Sequence, residues 1–226
     1  DYMGGFPDHP HRGFETVTYM LEGRMRHKDN TGREGVIGPG GIQWMRAGKG
    51  IVHSEMPEQA EGRMRGFQLW VNLPAKLKMS EPGYSEFESD AIPVEARDGG
   101  VTVKVISGVT DSGMAGPIGG GAVDALYFDV VLPAGTMFEE PVGDDRSAML
   151  AVYEGQVRVA HDTVDALSGV FLGTGDTVRV EAVTDARLLL LAGRPIQEPV
   201  FWHGPFVMNS REEIVQAFED FQRGRF

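Results

Sequence analysis

The groups in this sequence best suited to chemistry sit in two short segments, Asp8-His9-Pro10-His11 and Ile51-Val52-His53-Ser54-Glu55. In each, two potential ligands stand two residues apart. On a β-strand, residues i and i+2 project to the same face, so each segment offers a pair of nitrogen or oxygen donors in one direction. Together His9, His11, His53 and Glu55 supply three imidazoles and one carboxylate. That set suits one mononuclear transition ion, Fe(II), Mn, Co, Ni or Cu, and leaves open positions in an octahedron. The same four donors can also close a tetrahedron, as structural metals do. The chain has no cysteine, which removes thiolate metal sites, disulfides and cysteine nucleophiles.

Glu15 competes with Glu55 for the carboxylate position. If one strand register runs on from the first segment, His9, His11, Gly13, Glu15, Val17, Tyr19 and Leu21 share a face, and that face becomes the apolar, core-directed one. His27, followed by Lys28-Asp29-Asn30-Thr31-Gly32, reads as a strand-end or turn residue. His161 lacks an i±2 partner and reads as a surface or structural residue, and His203 as a loop-orienting one. The later segment Thr136-Met-Phe-Glu-Glu-Pro141 has no His-x-His, so a second metal is not expected.

The elements that must position these donors read as short strands. Residues 14–21, Phe-Glu-Thr-Val-Thr-Tyr-Met-Leu, are rich in β-branched and aromatic types and end at Glu22-Gly23. Further strands are expected at 36–37, 42–45, 51–55 and 66–72, and again at 101–107, 126–132, 148–153, 157–160, 177–183 and 187–191. Gly and Pro number 31 and 13, a share that fits the many turns of a sandwich or barrel. The acidic, Pro-containing stretch 80–100 reads as a linker. It divides a metal-binding domain, 1–92, from a second domain without metal, 93–226. Met20-Leu-Glu22-Gly23-Arg-Met-Arg aligns with Val152-Tyr-Glu154-Gly155-Gln-Val-Arg158, which suggests a duplicated β-unit. Only the C-terminus reads as helical, with Ser210 and Glu213 as a capping box and Ile214, Phe218 and Phe221 along one face.

The 226 residues carry 21 basic and 33 acidic side chains, a net charge of −12. Acidic balance disfavours direct nucleic-acid binding and docking on anionic lipid. No apolar run reaches the length of a membrane helix, and a cytoplasmic location is the default expectation. The first residue is Asp1, so an upstream segment is expected to precede it.

The segments 8–16 (Asp-His-Pro-His-Arg-Gly-Phe-Glu-Thr), 43–56 around Gln43-Trp-Met45 and Ala47-Gly-Lys-Gly-Ile-Val-His-Ser-Glu-Met56, 69–73 (Leu-Trp-Val-Asn-Leu) and 203–209 (His-Gly-Pro-Phe-Val-Met-Asn) resemble the pirins, a bicupin family. That resemblance implies an all-β fold of two stacked β-barrels, with the C-terminal helix packing back on the first. It implies one metal, usually iron and so Fe(II), in the first barrel, with His9, His11, His53 and Glu55 as ligands. The general cupin pattern would use Glu15 instead, and pirins depart from it. The resemblance further implies quercetinase activity: cleavage of a flavonol by O₂ with release of carbon monoxide. In that reaction Glu55 either stays a ligand or loosens to act as the catalytic base for the 3-hydroxyl proton, and Phe14, Trp44, Met45 and Met56 are expected to help wall the substrate pocket. The alternative it implies is an iron-dependent regulator that binds a partner enzyme or transcription factor.

Overall fold

The computed structural model describes residues 4–59 and 61–226. The chain forms two compact units, Asp1–Ala91 with Ile196–Phe226, and Ile92–Pro195.

In the first unit the chain runs through β1 (Phe6–His11), β2 (Phe14–Glu22), β3 (Met25–Asp29), β4 (Glu34–Ile37), β5 (Ile42–Arg46), β6 (Ile51–Pro57), β7 (Arg65–Asn72), a short helix α1 (Ala75–Lys78) and β8 (Gly83–Phe87). Period-2 patterning explains the interior. Ile51, His53 and Glu55 of β6 are buried while Val52, Ser54 and Met56 are less so, as a strand with one covered face requires. The strands form two four-stranded sheets, β1-β6-β3-β4 and β7-β2-β5-β8, with antiparallel pairing throughout. Their apolar interior includes Phe14, Met20, Ile37, Ile42, Met45 and Ile51, each contributing about 1.5–3 kcal/mol on burial.

The second unit contains β9 (Val94–Ala96), β10 (Thr102–Ser107), β11 (Leu126–Leu132), β12 (Met137–Pro141), β13 (Ser147–Glu154), β14 (Gln156–Val159), β15 (Asp162–Asp165), β16 (Ser168–Phe171), β17 (Thr177–Ala182) and β18 (Ala186–Gly193). One sheet has the order β16-β13-β18-β11-β10-β9 and the other β12-β17-β14-β15. Alternate residues of β11 and β18, among them Phe128, Val130, Leu188 and Leu190, meet Phe138, Val178 and Val180 in one continuous apolar cluster.

The tail adds the hairpin β19 (Phe201–His203) and β20 (Phe206–Met208) and the helix α2 (Arg211–Gln222). Ser210 caps α2 by accepting from Glu213 N at 3.2 Å, and Glu213 Oε2 reaches back to Asn209 N at 2.8 Å, so the reciprocal half of the box engages the residue before the cap. Two sequence expectations shift here. The stretch 80–100 is not a bare linker, because it supplies the edge strands β8 and β9. The tail from Ile196 groups with the first unit, whereas the sequence division left it in the second. Among the described residues no helix is long and apolar enough to cross a membrane.

Candidate metal centre

β6 is the spine of the site. On one side it pairs with β1, setting His53 opposite His9. On the other it pairs with β3, setting Glu55 opposite His27 and His53 opposite Asp29. The rings of His9, His11 and His53 converge, with centroids 4.3 Å (9–53), 4.8 Å (9–11) and 5.0 Å (11–53) apart. One donor atom from each lies within 4.8 Å of the others, a group that can hold a metal ion.

The register does not continue from His11 into the next strand. Gly13 has φ +90°, and a Cβ there would lie 2.0 Å from Val207 O, so only glycine fits the turn. The turn flips the faces. Phe14 packs edge-on to His11, and Thr18 and Met20 reach the site's cavity. Glu15 points away, where it accepts from Trp44 Nε1 at 3.2 Å and Arg46 Nε at 2.7 Å. The shared face expected from the sequence is therefore wrong beyond His11, and Glu15 is removed from the contest for the carboxylate position.

The residues fit a bound cation. His9 Nδ1 contacts Pro7 O at 2.8 Å and His11 Nδ1 contacts Pro205 O at 3.4 Å, while Nε2 of His11 and of His53 is buried with no partner. Leaving such an atom unsatisfied costs about 1–3 kcal/mol, which coordination would relieve. Burial, reinforced by His9, holds the His11 pKa down at about 4. Burial together with His9, His11 and His27 holds that of His53 at about 2. Both rings are thus neutral near pH 7, the form that ligates metal.

Glu55 stands beside this triple without belonging to it. Gln68 Nε2 donates to both its carboxylate oxygens, at 2.8 and 2.9 Å, and Thr18 Oγ1 adds a contact at 3.3 Å. Gln68 Oε1 in turn accepts from Trp70 Nε1 at 3.1 Å. A cavity of about 640 Å³ opens onto His9, His11 and Glu55, walled by Met20, Met25, Met64, Phe67 and Trp70.

None of Phe14, Trp44, Met45 and Met56 lines that cavity. Phe14 lies behind the wall, stacked on Trp70 at 4.3 Å. Trp44 is held by Glu15 and lies beside Arg46 on the other face of its sheet. Met45 packs in a separate cluster with Ala47 and Ile51, and Met56 sits on the less buried face of β6.

Three contributors escaped the sequence reading. His27 is no turn residue: it is 2% exposed within β3, stacked on Tyr84 and 3.3 Å from His53. The alternation Met25, His27, Asp29 was the available signal. Arg12 is buried and binds Lys49 O and Asp220 of α2, tying the tail to the ligand-bearing strand. Lys78 is 1% exposed, and its ammonium donates to Gly13 O, Asn72 Oδ1 and Val207 O. Burial lowers its pKa to about 8, against the opposing pull of Glu198 and Glu213.

Comparison with known proteins agrees with this architecture. Residues 1–71 match the Pirin family model and residues 127–226 that of the pirin C-terminal cupin domain. A pirin-like protein of Caulobacter vibrioides is 89% identical over 226 residues, covering 100% of this chain and 82% of its own. A provisionally named quercetin 2,3-dioxygenase of Pseudomonas aeruginosa is 49% identical, covering 99% and 81%. The crystal structure of a quercetin 2,3-dioxygenase from Acinetobacter baumannii superimposes with TM-score 0.93 at 34% identity, covering 98% of this chain and 79% of that one. With two cupin-type units and sequence likeness along its whole length, the chain belongs to the pirin family.

Proposed function

We propose that this chain is a metal-dependent dioxygenase that opens the heterocycle of a flavonol such as quercetin with O₂ and releases carbon monoxide. The observation that carries this reading is the cavity: its apolar, partly aromatic walls run down to two of the three converging histidines and to Glu55, as expected of a pocket for a flat aromatic ligand with a few fixed polar groups. His9, His11 and His53 would hold the ion, Fe(II) foremost, with Glu55 a fourth ligand or a free base. When bound, the ion supplies Lewis-acid polarisation and a common template for flavonol and O₂.

The protein's own contributions follow from the geometry. Met20, Met25 and Met64 offer polarizable, adaptable contacts to an aromatic ring system, and Trp70 offers a flat face at the mouth. Glu55 is poised to take the proton of the flavonol 3-hydroxyl onto a carboxylate oxygen. Gln68 holds that carboxylate in one orientation by donating to both oxygens. Engagement of Glu55 with Gln68 also speaks against a closed structural metal, because it keeps the carboxylate on the cavity wall.

The test is anaerobic reconstitution with Fe(II), addition of quercetin and then O₂, following flavonol absorbance and carbon monoxide. Metal-dependent consumption with carbon monoxide release is expected. Glu55→Gln should lower kcat by about 10²–10⁴ in protein that still contains metal. A fully loaded chain that consumes no flavonol would overturn the reading and leave the regulator alternative standing.

A further inference from the structure

His53 differs from the other two histidines of the triple in how its Nδ1 is satisfied. His9 and His11 each set Nδ1 against a backbone carbonyl, of Pro7 and Pro205. A carbonyl only accepts, so the neutral form of each ring is the one with its proton on Nδ1 and a lone pair at Nε2. His53 Nδ1 instead lies 3.3 Å from Nδ1 of His27, a contact that by itself does not say which nitrogen holds the proton.

The far side of His27 decides it. His27 Nε2 lies 3.2 Å from Asp29 Oδ2, and an ionised carboxylate oxygen only accepts. Asp29 is anchored through its other oxygen, which accepts from Thr31 N at 2.8 Å, Thr31 Oγ1 at 2.6 Å and Arg33 N at 3.2 Å. Burial works against its charge, yet the hydrogen bonds from Thr31, His27 and Arg33 keep its pKa below the usual carboxylate value. Tyr84 stacks on the His27 ring at 4.4 Å and 20°, and its own hydroxyl is tied to Glu86 at 2.7 Å, so the ring has little freedom to turn.

With Asp29 accepting, the neutral form of His27 is the one with its proton on Nε2 and a lone pair at Nδ1. His53 must then donate from Nδ1, which strips its buried, unpartnered Nε2 of a proton. We propose that Asp29 and His27 are positioning residues that select the tautomer of His53 whose Nε2 is free to bind a metal ion. Reversing the relay, with a proton on His27 Nδ1, would place one on His53 Nε2 and close it to metal. The inference rests on the reading that the three histidines hold an ion, and it adds that one ligand's proton is placed by a carboxylate two bonds of the relay away, much as carboxylates orient metal-bound histidines directly.

The experiment uses the metal-free full chain, with ¹⁵N-imidazole NMR to read each tautomer and Ni(II) alone as the affinity probe. Asp29→Asn retains the oxygen facing Thr31 and Arg33 but can turn an amide N–H toward His27. It should move the His53 proton to Nε2 and weaken Ni(II) binding by about 10–100-fold. His27→Phe keeps a stacking ring and should weaken binding similarly. His27→Gln, whose carbonyl can accept from His53 Nδ1, should restore most of the loss. If Asp29→Asn does not fold, the Phe and Gln pair at position 27 decides. Native His53 protonated at Nε2, or folded variants with unchanged tautomer and Ni(II) affinity within about twofold of native, would overturn the proposal. A native chain with the predicted tautomer but no Ni(II) binding would overturn the metal reading while upholding the relay.

Discussion

In the first unit β6 carries His53 and Glu55 to the interior; in the second, β17 holds the corresponding place in its sheet and carries Val178, Val180 and Ala182 there. The sheet orders β1-β6-β3-β4 and β12-β17-β14-β15 match strand for strand, so across these two sheets the interiors differ by side chain rather than by strand order. The second unit also has a cavity, about 500 Å³, but its arginines are already paired: Arg146 with Asp124, Arg158 with Glu181, Arg179 with Glu139. Its buried carboxylates are closed as well, Glu140 by Arg97 and Asp111 N, Glu95 by Arg97, Thr110 and Ser112. The first unit leaves two buried imidazole nitrogens without partners. One sheet order thus carries an apolar interior with paired carboxylates in one unit and a cluster of imidazoles able to hold a metal ion in the other. The histidine-bearing interior is buttressed from the tail, through Arg12 to Asp220, His11 to Pro205 and Lys78 to Val207.

Substitutions in each unit can break that comparison. The largest effect is expected from His53→Ala, which should abolish stoichiometric metal uptake, measured by metal analysis after dialysis, while circular dichroism stays native. Metal retained at the native level would sever the link between the triple and binding. Next is Phe138→Ala, which opens a cavity in the filled interior and should cost about 3–5 kcal/mol by denaturant unfolding. If the units divide labour as argued, Ni(II) affinity of the folded variant is unchanged; a parallel fall would show that the second interior also shapes the site.

A smaller effect sharpens the role of the buttress. Lys78→Met leaves two carbonyls and Asn72 without their donor and should cost about 1–3 kcal/mol. The pH dependence has a definite sign. The folded-state pKa of Lys78 lies near 8, below the ordinary lysine value of 10.5, so between those values the unfolded chain binds more proton than the native one. Stability contributed at this position therefore rises with pH across that window. The gap between native protein and Lys78→Met should widen from pH 8 to pH 10; a constant or narrowing gap would mean that burial does not perturb this amine.

Much of the site was legible because strand periodicity is local. Two-residue spacing placed His9 with His11 and His53 with Glu55 on common faces before any fold was known. The features that were missed depend on distant chain. The register flip at Gly13 is imposed by the approach of Val207, and the tail's allegiance to the first unit is secured by pairs such as Arg12 with Asp220. Apolar type does not say which face of β5 turns inward, so the sequence puts Trp44 and Met45 forward together although adjacent strand residues point oppositely, and neither reaches the cavity. His27 was hidden by the turn-like residues after it: the strand runs on to Asp29.

The central claim, one metal-binding interior and one inert one, is tested most directly by titrating the metal-free full chain with Ni(II) and counting ions bound at saturation. The account predicts a single ion per chain, lost in His11→Ala. Two ions, or one ion that survives His11→Ala, would contradict it.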